Sequence, residues 1–169
     1  MKERAQTIAG ELILVRALDL QFARLHQQSQ KFVSLIPPEK FYTKPREPSG
    51  FVPVYSCGEH ILRSAAAIEQ MAGGLTASLW DDPFEWTLPE TLSTPARVEE
   101  YLKEVEETRA RAFNLFQGDR DLLKEIQLPS GKLQVICQLL FDTLQRAAHH
   151  QGSAFATLRL ISDVRLPQV

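Results

Sequence analysis

The most informative segment of the chain is Ala147-Ala148-His149-His150-Gln151-Gly152-Ser153, which contains two of the four histidines. It lies within a longer segment, from about Lys132 to Leu160, whose apolar residues recur at helical spacing. On a helical wheel, one face of this segment forms a mainly apolar stripe. The stripe contains Leu133, Ile136, Cys137, Leu140, Leu144, Ala147, Gln151, Ala154 and Leu158. On that wheel His150 flanks the apolar stripe, His149 points nearly opposite to it, and Arg146 precedes His150 by one turn. The pattern predicts a long helix with His150 close to the protein core.

A first helix is predicted from about Ala5 to Leu35, where apolar residues again recur every three or four positions. It should end before Pro37-Pro38, because proline donates no backbone hydrogen bond and disfavours a helical predecessor. Residues 37–55 contain five prolines with interspersed aromatic residues. A connection of this length predicts that the chain crosses here from one end of a bundle to the other.

A second helix should begin at Ser56, because Ser56 and Glu59 have the spacing of a capping box. Gly73-Gly74 is expected to end it. A third helix should begin at Thr94-Pro95, an N-cap residue followed by proline at the first helical position. The chain contains no internal repeat and no strand pattern. The sequence therefore predicts an all-α four-helix bundle.

The composition is that of a globular protein, with 44% hydrophobic and 24% charged residues, and the length suits one domain over residues 1–169. The net charge of −2 argues against nucleic acid or an anionic membrane as an obligatory partner. No apolar run approaches the length that spans a bilayer. Cys57 and Cys137 match no metal or redox spacing. These features predict a cytoplasmic protein without disulfide bonds.

His60 falls in the first turn of the second helix, where the helix dipole favours a neutral imidazole that can bind metal. Taken alone, a histidine in this position is more often a surface or half-buried polar residue than a metal ligand. His26 is expected to be a solvated surface residue. Asp142 precedes His150 by two turns, about 12 Å along the axis, which is too far for joint metal binding. Gly152 inside a helix predicts close packing or a nearby site.

Three motifs occur in a characteristic order: Leu35-Ile36-Pro37-Pro38-Glu39-Lys40, Cys57-Gly58-Glu59-His60-Ile61-Leu62 and His149-His150-Gln151-Gly152-Ser153. In this order and spacing they resemble the DinB/YfiT-like superfamily over nearly the whole chain. The resemblance implies an up-down-down-up bundle with a long crossover, often homodimeric. It also implies a divalent metal such as nickel, zinc, manganese or iron, bound by three histidines. Family members with assigned activities include transferases and isomerases in which the metal activates a small thiol.

Matched residue by residue, His60 corresponds to the metal ligand of helix two and His150 to the second histidine of the pair on helix four. Arg146 stands where the first histidine of that pair is expected. Its guanidinium has no lone pair for a metal and repels a cation. Gln151-Gly152-Ser153 also departs from the more usual Arg-Gly-Gln, and His149 could replace the missing ligand only by distorting the helix. Two histidines leave a catalytic-type site one ligand short, so a degraded metal site is predicted.

Three functions remain open at this point. The first is a non-catalytic DinB-like protein with a vestigial pocket and a homodimeric or partner-binding role. The second is a metal-free module in which Arg146, His60 and His150 bind a small anion. The third is a metal-dependent transferase or isomerase of the thiol-dependent kind that the resemblance implies. It would use His60 and His150 as metal ligands. No Ser-His-Asp or Cys-His motif supports a covalent nucleophile.

Overall fold

The structure, a computed structural model, describes residues 11–46, 53–83 and 90–165. Within these ranges the chain forms four α-helices and one antiparallel pair of strands. Helices α1 to α4 span Ile13–Leu35, Cys57–Ala77, Pro95–Phe113 and Ile136–Ile161, and strands β1 and β2 span Glu125–Gln127 and Leu133–Val135. Short 3-10 helices occupy Pro38–Lys40 and Asp119–Leu123. The predicted start of the first helix, near Ala5, lies outside the described residues.

Contacts between helix ends define the relative directions of α1, α3 and α4. Asp119, shortly after α3, accepts hydrogen bonds of 3.0 Å from the backbone N–H groups of Leu14 and Val15 at the start of α1. The end of α3 therefore lies beside the start of α1, and the two helices are antiparallel. Lys40, shortly after α1, donates a 3.1 Å hydrogen bond to the carbonyl of Ile161. Helices α1 and α4 therefore end together and are parallel.

Helices α2 and α3 both begin at the end of the bundle where α1 finishes. The backbone N–H of Gly58 donates to the carbonyl of Phe41, and the hydroxyl of Tyr42 donates to the carbonyl of Leu92 just before α3. The directions are therefore up-down-down-up, as the resemblance implied. The chain crosses from one end to the other between α2 and α3. The prediction that residues 37–55 make this crossing was wrong, because they join two helices that meet at the same end.

Helix α2 packs between α3 and α4, and α1 packs against the other sides of α3 and α4. Helices α1 and α2 thus lie diagonally across the bundle. The largest fully buried side chains include Phe22, Phe32, Phe41, Ile61, Leu62, Met71, Leu122, Leu140 and Leu158. None of the helices in the described ranges combines the length and apolar character of a membrane-spanning segment. The α2–α4 contact is extensive, and it places the histidine segment of α4 against α2.

The residues before α4 correct the predicted start of the fourth helix. Strand β2 pairs with β1, and α4 begins only at Ile136. Gly131, with φ of 79°, supplies the left-handed residue in the turn between the strands. Leu133, predicted on the inner stripe of the helix, is a strand residue and is 56% exposed. Strands of three residues are too short to produce a recognisable alternation in sequence.

Three helical glycines also differ from expectation. Gly73-Gly74 does not end α2, which continues to Ala77 and ends at Ser78 in the left-handed conformation. These glycines instead let Leu79 and Trp80 pack directly on the helix backbone. Gly152 is exposed, and a Cβ added there would meet no atom within 4 Å. Close packing therefore does not explain Gly152.

The substitution Gly58→Ala is expected to destabilise the protein by about 1–2 kcal/mol. The added Cβ would lie 2.5 Å from Cε1 of Phe41, whose side chain is fully buried, so the core must shift. Gly152→Ala is the matched control, because it adds the same methyl group to open space and should stabilise the helix by about 0.5–1 kcal/mol. Urea unfolding of both variants measures these effects. A Gly58→Ala protein as stable as the wild type would contradict the packing of Phe41.

Candidate functional site

The first turn of α2 positions one histidine of the candidate site. The Ser56 hydroxyl accepts a 3.2 Å hydrogen bond from the N–H of Glu59, whose carboxylate accepts a 2.7 Å bond from the N–H of Ser56. This confirms the predicted capping box. Three residues separate His60 from Arg63, so both lie on the same side of the helix. The guanidinium of Arg63 lies 4.2 Å from the centre of the Tyr55 ring.

The structure brings His60 and His150 together across the α2–α4 interface. Their ring centres are 5.8 Å apart and the ring planes are inclined by 36°. The ring of His149 also lies beside that of His150, at 5.5 Å between centres. The helical wheel had placed His149 on the opposite side. A wheel gives only the direction of Cβ, and the side-chain torsions of an exposed histidine can turn its ring toward a neighbour.

The Nδ1 atoms of His60 and His150 are buried and have no hydrogen-bond partner among the described residues. Buried polar atoms in folded proteins are nearly always paired. Each unpaired atom costs about 1–3 kcal/mol. A bound ligand or a water molecule is the kind of partner that would satisfy such nitrogens, so the histidine pair is a candidate binding element.

His150 lines a cleft of ≈130 Å³ between α2 and α4. The other lining residues are Arg63, Ala67, Asp82 and Arg146. His60 contacts His150 but does not itself line this cleft. Two arginines and one aspartate leave the lining with an excess of positive charge at neutral pH. The cleft is therefore polar, cationic and adjacent to the unpaired histidine nitrogens.

Arg146 is held at the edge of the cleft by a neighbour on α2. Its guanidinium donates a 2.9 Å hydrogen bond to the side-chain oxygen of Gln70. The amide nitrogen of Gln70 donates in turn to the carbonyl of Trp80 at 2.8 Å. This bond uses one of the five N–H donors of the guanidinium, which orients the group while leaving further donors for a ligand.

Burial lowers the pKa of both paired histidines. The pKa of His150 falls to about 4, first through desolvation and then through the charges of His60, His149, Arg63 and Arg146. Desolvation also lowers the pKa of His60; Glu59 raises that pKa, and Arg63 lowers it. Both imidazoles are therefore predominantly neutral at pH 7.

The side chains present do not make a complete metal site of the catalytic type. In residues 11–46, 53–83 and 90–165, no three His, Cys, Asp or Glu side chains are grouped closely enough to hold a metal ion. The unpaired nitrogens of His60 and His150 could supply two ligands, but Arg146 and Arg63 bring positive charge to the same place. A catalytic zinc site needs three protein ligands. The donor set therefore fits a metal poorly.

Neither Asp142 nor Cys57 completes the site. Asp142 accepts a 2.9 Å hydrogen bond from Gln134 and does not line the histidine cleft. Burial raises the pKa of the Cys57 thiol to about 11, and the thiol lies 3.2 Å from the carbonyl of Phe41. A buried, protonated thiol is a poor nucleophile and a poor metal ligand.

Three buried hydrogen bonds connect the histidine segment of α4 to its neighbours. The hydroxyl of Ser64 on α2 donates to the carbonyl of Ala147 at 2.9 Å. The side-chain nitrogen of Gln151 donates to the carbonyl of Leu25 at 2.7 Å and lies 2.8 Å from the hydroxyl of Ser29. These bonds connect α4 to both α2 and α1 directly beside His150. The segment that contains His150 is therefore hydrogen-bonded to two other helices.

Sequence reasoning identified His60, His150 and Arg146, which the structure brings into one region, but it missed Arg63 and Asp82. Arg63 had a usable signal, since it follows His60 by three residues on a predicted helix. Asp82 lies in a connection and had none. His26, predicted as a solvated residue, is half-buried, and its pKa is lowered by desolvation, with Glu106 raising it.

Taken together, the fold and the site define an up-down-down-up four-helix bundle with a histidine pair and two arginines between α2 and α4. A DinB-like protein from Bacillus cereus ATCC 10987 is similar in structure, with a TM-score of 0.69 at 14% identity over 91% of this chain and 96% of that chain. A protein from Exiguobacterium sibiricum 255-15, assigned provisionally to the DinB family, has a TM-score of 0.65 at 17% identity over 93% and 98%. No family model and no curated protein matches the chain. The chain therefore has the DinB-like fold, which confirms the fold predicted from its motifs.

Proposed function

We propose that this protein binds a small organic anion, without a metal ion, in the cleft lined by Arg63, Arg146 and His150, with His60 beside His150. One observation carries the proposal: two arginines flank His150 in a single cleft, where the DinB-like resemblance implied a complete set of metal ligands. A guanidinium presents parallel N–H donors that match a carboxylate or a phosphate. The site then acts in recognition, and we assign it no catalytic step.

The charges around His150 support an anion in preference to a cation. The positive groups that lower its pKa also create a positive potential in the cleft, and that potential attracts anions. Asp82 also lines the cleft and reduces this potential, but its single negative charge does not balance two arginines. The neutral imidazoles can each donate one N–H group to a bound oxygen. Ligand binding would thereby satisfy polar atoms that lack a partner.

Anion binding is expected to tighten as the pH falls. A bound anion favours the imidazolium, so binding should raise the pKa of His150 above its value of about 4 in the free protein. Because the complex then takes up a proton, affinity should rise as the pH falls from 7.5 to 5.5. Sulfate is the appropriate probe, since its charge does not change over this range.

Titration with sodium sulfate, followed by NMR of the histidine ring signals, measures this effect. The signals of His60 and His150 should shift with saturation, while that of His26 on α1 serves as an internal control. Sodium chloride at matched ionic strength corrects for screening. Sulfate that moves the His60 and His150 signals no more than chloride does would refute the proposed function.

The remaining predictions from the sequence and the resemblance are independent of this proposal. Homodimerisation, a cytoplasmic location and a structural role stay predictions, and the cleft uses residues of one chain. A thiol-dependent transferase or isomerase would need a complete metal site, which the two paired histidines do not supply by themselves.

A further inference from the structure

A second, larger cleft adjoins the histidine cleft. It has a volume of ≈280 Å³ and lies between α2, α4 and the turn that connects β1 to β2. Its apolar lining residues are Met71, Trp80, Leu128, Pro129 and Leu139. Arg146 lines both clefts, so they share a wall.

The shared wall is a hydrogen-bonded unit. Gln70 accepts from Arg146 and donates to the carbonyl of Trp80, as described above. The indole of Trp80 in turn packs on the helix at Gly74, where no Cβ intervenes. These contacts therefore fix the position of the Arg146 guanidinium relative to the Trp80 indole. A ligand whose charged end contacts Arg146 has an apolar surface directly beside it.

The dimensions and charges define what could occupy both clefts. Sites for small organic ligands usually have volumes of about 300–1,000 Å³, and neither cleft reaches that volume alone. The two clefts meet at Arg146, so a ligand bound to that residue can contact both. The second cleft also contains Asp142, one turn before Arg146 on α4, with its carboxylate bonded to Gln134. That negative charge disfavours a second anionic group at the apolar end of a ligand.

We infer that the ligand is a monoanion with an apolar body, its charged end at Arg146 and His150 and its body against Trp80 and Leu128. This inference rests on the proposed anion site and names the class of ligand that the site would take. The turn residue Leu128 would cover the body, so the β1–β2 hairpin contributes to recognition. An apolar monocarboxylate has this chemistry.

Three probes test the inference on the full chain by calorimetry or ligand-observed NMR. Acetate carries only the charged end, phenylbutyrate carries both parts, and phenylbutyramide carries the body without the charge. Phenylbutyrate should bind at least about tenfold more tightly than acetate, since burying two methylene groups already supplies that factor. It should also bind more tightly than the amide, because only the acid pairs with Arg146.

Variants of the hairpin locate the apolar body. Leu128→Gln should remove most of the advantage of phenylbutyrate over acetate and leave sulfate binding unchanged. Leu133→Gln is the matched control, because Leu133 is on the same hairpin, is 56% exposed and lines neither cleft. It should keep the full advantage.

The outcomes separate this inference from the proposed function. If sulfate and acetate bind but phenylbutyrate has no advantage, or keeps it in Leu128→Gln, the second cleft is not a ligand subsite and the anion site stands. If the amide binds as tightly as the acid, the charged end is not held at Arg146 and the inference fails. If no anion binds, the proposed function fails, and this inference fails with it.

Discussion

The substitution Arg146→Met is expected to weaken sulfate binding about 10- to 100-fold, because a hydrogen bond to a charged group contributes about 1.5–3 kcal/mol. Methionine keeps most of the aliphatic stem and removes the charge and its donors. Arg146 is exposed, and within the described residues its one hydrogen bond is to Gln70. The fold should therefore tolerate the substitution. The dissociation constant, measured by the same histidine NMR titration, gives the effect directly.

Arg159→Met is the matched control for this experiment. Arg159 is exposed on the same helix, outside both clefts, and its removal changes the net charge of the protein by the same amount. Its sulfate affinity should stay within about twofold of the wild type, because exposed charges at a distance are screened by salt. An equal loss in both variants would mean that sulfate responds to overall charge, and the cleft would not be its site.

The substitution Arg146→His is expected to create a metal site that binds nickel or zinc at least about 100-fold more tightly than the wild type. The new imidazole would stand one turn before His150, on the same face of α4. His60 and His150 are already 5.8 Å apart between ring centres, and two imidazoles on one ion have a separation of roughly 5–6 Å. The change adds the third ligand and removes a repelling charge at the same position.

Metal content by elemental analysis, with calorimetric titration of the metal-free protein, measures this gain. Arg146→Met separates the two causes, since it removes the charge without adding a ligand. Adding His60→Ala to Arg146→His should abolish the new site. If the wild type bound metal as tightly as Arg146→His, our assessment of the donor set would be wrong. If Arg146→His bound no metal, the match of Arg146 to the family's histidine position would be wrong.

The parts of the site that sequence reasoning predicted are those that depend on spacing within one helix. The capping box at Ser56 and Glu59 and the one-turn separation of Arg146 from His150 involve neighbours three or four residues apart. The pairing of His60 with His150 was accessible only through the family resemblance. The contact itself joins residues on different helices, and no local pattern in this chain encodes it.

Most of the predictions that differ from the structure concern side-chain positions or short secondary-structure elements. The ring of His149 lies 5.5 Å from that of His150, its neighbour in the chain, although their Cβ atoms leave the helix in different directions. The hairpin before α4 has strands of only three residues. Strands this short show no recognisable alternation, so their apolar residues fit the helical pattern of α4. Gly73-Gly74 had the composition of a helix end, but α2 continues to Ala77, and the glycines leave room for Leu79 and Trp80 on its backbone.

The amino-acid sequence by itself determined the four helices, the start of α2, the burial of Gln151 and the position of Arg146 one turn before His150. These features depend on periodicity and on contacts within one or two helical turns. The tertiary structure alone decided which connection crosses the bundle, that Arg63 and Asp82 join Arg146 in one cleft, and that an apolar cleft shares its wall. Those features arise where segments distant in sequence pack together, and the free energy of that packing is distributed over the whole core.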